Sequence, residues 1–272
     1  MNYDKGIDFI IVVFYRFDYA KIILESIKKY VKNVPYTVNI INNGINFGEG
    51  NGYDTLTEMF KDESSVRIHR GIEQHIDSNI SNPDTYKCKH DGRMVSIGSW
   101  AQAEAMTIGV KNTNREYICY LDGDIVFLDE WVDDVLPLME NNIFVSDKWR
   151  DDLNTHCCQF TMVKRELVEN EYLYEEEDLY PNIHYKDTAG MLGHYGVEKN
   201  LPFVILKNSY NDRSLRTEHL LNLNHGEQAW INDKPFFYHY GRGSGRSEDL
   251  YNTWLIEVSK YLELQHGEED EN

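Results

Sequence analysis

Two aspartates one residue apart, Asp122 and Asp124 in the stretch YICYLDGDIVFL (residues 117–128), are suited to holding a divalent cation. They stand at the end of an apolar run rich in Ile, Tyr, Val and Phe, the composition of a buried central strand. An ionised carboxylate is almost never buried without a partner or a metal, so both must surface where that strand ends. Mg²⁺ and Mn²⁺ take oxygen ligands, and Mg²⁺ typically combines one or two protein carboxylates with the phosphates of a substrate. A second reading needs no metal: Asp-Gly also forms tight hairpin turns, with Ile125 to Leu128 as the return strand. The elements around the motif must decide.

The apolar run Ile7 to Phe14 predicts a buried strand, followed by Tyr15, Arg16, Phe17 and Asp18. Ile23, Ile27, Tyr30 and Val31 then recur at helical spacing, with Asp18 as the expected N-cap. Thr37 to Ile41 predicts a second strand, ending in Asn42, Asn43 and Gly44. Strand, helix, strand at this spacing is a right-handed parallel unit. Ligands of such sheets bind beyond the carboxyl ends of the strands, where Tyr15, Arg16, Asn42 and Asn43 stand.

Further along, Gly48 to Gly52 (GEGNG) lacks the Lys-Ser/Thr of a P-loop and reads as a turn. Tyr53 to Phe60 predicts a helix and Val66 to His69 a strand, while Gly71 to Arg93, polar and rich in turn residues, predicts an excursion loop. A helix over Ser99 to Val110 leads into the acidic strand. Beyond it come a helix over Asp129 to Met139, strands at Ile143 to Ser146, Phe160 to Val163 and Leu201 to Leu206, and a closing helix with Leu250, Trp254 and Val258 on one face. Glu175 to Asp178 reads as a solvated face.

Composition narrows the partners. With 27 basic and 46 acidic residues among 272, the formal charge is −19, which disfavours a broad nucleic-acid footprint or an anionic membrane surface. Apolar runs are too short for a membrane span and the first residues lack the features of a signal peptide, so a cytoplasmic protein is expected. Four irregularly spaced cysteines, Cys88, Cys119, Cys157 and Cys158, predict reduced structural thiols.

The order of these parts resembles the GT-A glycosyltransferases, most closely the family 2-like group that uses nucleotide-sugar donors. The matching pieces are IIVVFYRFDYAKIILESI, VNIINNG, GSWAQAEAMTIGVKNTNREYICYLDGD and FTMVKRELV, so the likeness covers about residues 7 to 246. The resemblance implies an α/β fold with a mostly parallel central sheet flanked by helices, in one domain spanning 1–272. Residues 1–128 would be the nucleotide-sugar half, 129–246 the acceptor half and 247–272 a closing helix with an acidic tail.

It further implies that Asp124 holds a Mn²⁺ or Mg²⁺ ion, that Asp122 reaches the ribose or the metal, and that His239 in FFYHYGRGSGR is a third ligand. Asn42 and Asn43 replace the family's usual acidic pair for base and ribose, and Gln102 lies near its basic position. Asp187 falls at the distance of the catalytic base of inverting members, without the usual neighbouring Glu. In the glycine-rich loop 241–246, Arg242, Ser244 and Arg246 are the expected diphosphate contacts, since glycine lets backbone N–H groups approach an anion and Arg supplies a forked cation. The implied reaction moves a sugar from a nucleotide-sugar, expected to be a UDP-sugar, to a carbohydrate or other hydroxyl acceptor. A non-catalytic sugar or nucleotide binder and a sugar nucleotidyltransferase share the architecture, but the latter carries a glycine-rich, Arg-containing loop after the first strand, and FYRFDYAK has no glycine.

Overall fold

The computed structural model describes residues 3–13, 16–43, 52–71, 85–87, 94–151, 155–171, 190–218, 220–221, 223, 226–241 and 247–264. Tyr15, Asp187, Arg242, Ser244, Arg246 and the acidic run 175–178 lie outside the described residues.

The chain opens with β1 (Asp4–Val13), α1 (Phe17–Tyr30), β2 (Tyr36–Asn42), α2 (Gly52–Met59) and β3 (Val66–Arg70). A short antiparallel pair follows, β4 (Thr85–Lys87), inside the segment 71–93 expected to be loop, with β5 (Met94–Ser96), just after it. Then come α3 (Ile97–Lys111), β6 (Arg115–Leu121), β7 (Ile125–Phe127), α4 (Val132–Asn141), β8 (Phe144–Arg150), β9 (Thr155–Lys164) and α5 (Arg165–Glu171). The remaining elements are α6 (Gly190–Glu198), β10 (Val204–Ile205), β11 (Lys207–Asn208), a 3-10 helix (Arg213–Glu218), β12 (Glu227–Ile231), β13 (Lys234–His239) and α7 (Glu248–Leu264).

Seven strands form the main sheet in the order β10-β8-β9-β6-β1-β2-β3. Only β9 runs antiparallel to its neighbours; every other pair is parallel. The central strands are apolar without alternation because helices or a second sheet cover both faces, as in Ile7, Phe9, Ile10 and Ile11, all fully buried. From β1 the chain first adds β2 and β3 on one side and then places β6 on the other. The carboxyl ends of β1 and β6 therefore flank a topological switch point, where a crevice forms in open α/β sheets.

The hairpin reading of Asp122-Gly123-Asp124 does not hold. The Asp122 N–H still donates to the Gln159 carbonyl (2.9 Å), but the chain then leaves the main sheet, and β7 pairs antiparallel with β13 in a second sheet of order β11-β12-β13-β7. Ile125, Val126 and Phe127 are each 0% exposed, and this layer packed with α1 covers them. Of the late strand expected over Leu201 to Leu206, Val204–Ile205 forms β10 and joins β8 in the main sheet, while β11, just beyond it, joins β12 in the second.

Asp18 does not cap α1. The N-cap is Arg16, with no side-chain cap bond, and Asp18 sits in the first turn, where it accepts the Tyr251 hydroxyl (2.9 Å) from α7. The helix expected from Asp129 begins at Val132, with Trp131 as its N-cap, and the Asp129 carboxylate accepts the Glu130 N–H (2.7 Å) ahead of it.

On one face of the sheet, α1, the second sheet and α7 enclose an aromatic core in which Trp131 contacts Phe9, Phe127, Phe160 and Phe236, with ring centroids 5.1–6.3 Å apart. On the other face, α3 and α5 cover Ile10, Ile41, Ile118 and Tyr120. Cys119 and Cys157 are buried free thiols, as expected, and burial pushes the Cys119 thiol up. The Lys-Arg-Glu piece at 164–166 has a structural role: Arg165 is fully buried and its guanidinium donates to Asp8 Oδ2 (2.9 Å), the Arg115 carbonyl (2.6 Å), the Val110 carbonyl (3.2 Å) and Thr113 Oγ1 (2.5 Å). No described helix is long and apolar enough to cross a membrane.

Candidate metal and donor site

Three side chains converge where β6 ends. Asp122 and Asp124 come from the turn after β6, and His239 from the end of β13, directly opposite Ile125 in the ladder. His239 Nε2 lies 3.1 Å from Asp124 Oδ1 and 3.4 Å from Asp122 Oδ2, and one ligand atom from each of the three residues falls within 4.8 Å of the others. The main chain fixes the arrangement as well, since the Tyr240 N–H donates to the Asp124 carbonyl (2.9 Å). A distance of 115 residues in sequence is thus closed by one strand pairing. The donor set of two carboxylates and one imidazole fits a divalent cation, and the imidazole suits Mn²⁺ better than an all-oxygen set would.

Electrostatics hold the trio together. Burial opposes charge on His239, but Asp124, then Glu227 and Asp122, outweigh it and keep the imidazolium pKa well above its usual value. A cation must displace that proton. Mn²⁺ affinity is therefore expected to rise by about tenfold per pH unit below the His239 pKa, with about one proton released per ion. Calorimetry in buffers of different ionisation enthalpy reads both quantities, and affinity independent of pH between about 6 and 8 would contradict this assignment.

Of the other residues expected at the site, Gln102 on α3 donates from Nε2 to Asp122 Oδ1 (2.7 Å), which leaves Oδ2 toward His239. Asn42 and Asn43 are buried at the carboxyl end of β2, on the same edge of the sheet as Asp122, with the Asn42 carbonyl accepting the Gly71 N–H (2.7 Å) and the Asn43 N–H donating to Val13 (2.8 Å). Arg16 also follows β1 at that edge. Its guanidinium lies 3.9 Å over the Tyr251 ring and 3.5 Å from Glu248, so α7 holds it in place.

Four residues at or beside the site carried no sequence signal that singled them out. Tyr19 on α1 is buried, its hydroxyl meets no hydrogen-bond partner among the described residues, and burial, then the charge of Asp124, raises its pKa. Asp147 at β8 is 2% exposed and accepts the Phe160 N–H (3.0 Å). Burial pushes it up to about 8 against the pull of that N–H and of His239. Glu227 and Lys148 form a bidentate pair at 3.0 and 3.1 Å, with Glu227 Oε2 3.9 Å from His239 Nδ1. Burial raises the Glu227 pKa, but His239 and Lys148 reverse the shift and bring it down to about 2. The alternation of EQAWI hints at the strand that carries Glu227, but nothing local in the sequence points to its partners.

No protein-family model matches the chain, and no curated protein matches it in sequence. Solved structures do. The galactosyltransferase LgtC, in complex with donor and acceptor sugar analogs, superposes with a TM-score of 0.55 at 12% identity over 94% of this chain and 95% of its own. The glycosyltransferase GlyE of Streptococcus pneumoniae TIGR4 superposes with a TM-score of 0.51 at 11% identity, covering 98% of this chain and 64% of GlyE, and its apo form gives 0.51 at 10%. At these identities the likeness speaks for the fold. With its mostly parallel sheet, its helices on both faces and its Asp-x-Asp turn at the end of β6, this chain has the GT-A glycosyltransferase fold.

Proposed function

We propose that the protein is a metal-dependent glycosyltransferase that moves a sugar from a nucleotide-sugar to an acceptor hydroxyl with inversion. The observation that carries this reading is the convergence of Asp122, Asp124 and His239 at the switch point of a GT-A sheet. A resident Mn²⁺ or Mg²⁺ would supply positive charge to the diphosphate that departs.

The remaining work falls to the chain's own residues. Gln102 fixes Asp122, and the 124–240 main-chain bond fixes the turn that carries Asp124. Asn42 and Asn43 can each donate and accept, as reading the edge of a pyrimidine base requires. Asp187 would take the acceptor hydroxyl proton as the new C–O bond forms at the anomeric carbon and the bond to the leaving diphosphate breaks. Arg242, Ser244 and Arg246 would bind that diphosphate. Nucleic acid is disfavoured as an acceptor by the net charge of −19.

Thermal-shift measurements with a panel of nucleotide-sugars in the presence of Mn²⁺ test the donor assignment. One UDP-sugar is expected to stabilise the protein more than the others, and only with the metal; a flat response across the panel overturns the assignment. Binding without turnover across a set of acceptors would leave a non-catalytic binder instead. Asp187→Asn should retain donor and metal binding while transfer falls by about two orders of magnitude or more. A full rate in that variant would place the base elsewhere.

A further inference from the structure

We infer that Glu227, held by Lys148, orients His239 so that its Nε2 faces the cation and its Nδ1 keeps a proton. This inference rests on the reading of Asp122, Asp124 and His239 as a metal site.

An imidazole can offer only one nitrogen to an ion, and the hydrogen bond made by the other selects which. Nε2 of His239 points at the two aspartates. Nδ1 is buried, has no hydrogen-bond partner among the described residues, and has the Glu227 carboxylate 3.9 Å away. That is within ion-pair distance. Glu227 and His239 are cross-strand partners in the β12–β13 ladder, so backbone register and not side-chain reach sets their apposition.

The approach of the two strands is itself secured by Gly226. Its φ is +103°, and a Cβ there would fall 2.3 Å from the Tyr238 hydroxyl and 2.7 Å from the His239 carbonyl. Glu227 is then fixed from the far side. Lys148, only 5% exposed, donates to both of its carboxylate oxygens and lies 3.5 Å from the centre of the Tyr210 ring. A lysine so deeply buried needs a counter-charge, and Glu227 is the one it meets. Lys148, Glu227 and His239 thus form a line from the main sheet through the second sheet to the candidate cation. Along that line the carboxylate is the only link that can accept from Nδ1–H.

A purely architectural salt bridge between the two sheets would use the same contacts, so the test must separate the two roles. Calorimetric titration of the full chain with Mn²⁺ and with Mg²⁺ does so, on wild type, Glu227→Gln and Asp124→Ala. Glu227→Gln keeps shape and a contact to Lys148 but weakens the acceptor. Mn²⁺ affinity is expected to fall by about 10- to 100-fold, and Mg²⁺ affinity by much less, because the imidazole contributes chiefly to binding of the softer ion. Equal Mn²⁺ affinity in wild type and Glu227→Gln, or equal losses for both ions, overturns the inference. Absence of Mn²⁺ binding to wild type overturns the metal site itself, and the inference with it. A measurement that needs no variant is nitrogen NMR of the histidines in the wild-type protein loaded with a diamagnetic ion such as Zn²⁺. Protonated Nδ1 and metal-shifted Nε2 at His239 are expected, and the reverse tautomer refutes the proposal.

Discussion

Asp124→Ala is expected to abolish Mn²⁺ binding and to reduce sugar transfer by three orders of magnitude or more while leaving the GT-A fold intact. Asp124 supplies the carboxylate nearest His239, at 3.1 Å, and it stands first among the groups that hold the imidazolium charge. Removing one of three protein ligands leaves an aspartate and an imidazole, a weak set for a divalent cation when no substrate phosphate is bound. The departing diphosphate then loses its principal counter-charge, and preorganised charge of that kind is worth about 4 kcal/mol or more in the barrier, at about 1.4 kcal/mol for each tenfold in rate. The fold should survive because the structural contact at this position is made by the main chain: the Asp124 carbonyl, which the substitution keeps, accepts the Tyr240 N–H. Asp122→Ala should do less damage, since Asp122 lies farther from His239 (3.4 Å) and is also engaged by Gln102. Radiometric transfer assays and metal titration check both statements. Transfer at the wild-type level in Asp124→Ala would refute the metal assignment.

Arg165→Met is expected to lower the unfolding free energy by about 3–5 kcal/mol, the cost of stranding a buried charge by removing its partner. Asp8 is 2% exposed, and its Oδ2 accepts from Arg165, from the Asn114 N–H (3.0 Å) and from the Arg115 N–H (2.7 Å). Without the guanidinium, two backbone donors and the more distant Arg115 guanidinium, 3.9 Å from Oδ1, remain beside a buried carboxylate, and the Arg115 carbonyl loses its 2.6 Å donor while the Val110 carbonyl keeps those of Thr113. Arg165→Lys keeps the charge but not the planar fork that reaches four acceptors, so an intermediate loss is expected. Urea titration reads these values. A change under about 1 kcal/mol in Arg165→Met would mean that water or a rearranged Asp8 replaces the pair. The residue lies far in sequence from the DGD turn but ties α5 to β1 and β6, the two strands that flank the crevice. In the destabilised variant, metal affinity measured well below the unfolding midpoint should be close to that of wild type.

Much of this molecule was legible in its residues. The apolar runs at 7–14, broken by Asp8 alone, and 117–121 mark strands covered on both faces, as in a parallel-rich α/β sheet. Two carboxylates straddling a glycine at the end of such a run had to surface at the ligand edge, and the sequence order placed Arg16, Asn42 and Asn43 at the same edge. Helical spacing likewise located α1 and α7, and composition α3, to within a few residues. Tertiary structure decided the rest, for a physical reason: pairing between distant strands leaves no local trace. Whether Asp122-Gly123-Asp124 closed a hairpin or broke away depended on β13, more than a hundred residues later, offering a backbone edge to β7. The buried pairs Asp8 with Arg165 and Glu227 with Lys148 join residues far apart in sequence, and no local pattern names either partner, because the burial that makes each charge need one comes from packing. Sequence thus selected the residue types and the edge of the sheet, while the second sheet determined which imidazole and which carboxylates meet there.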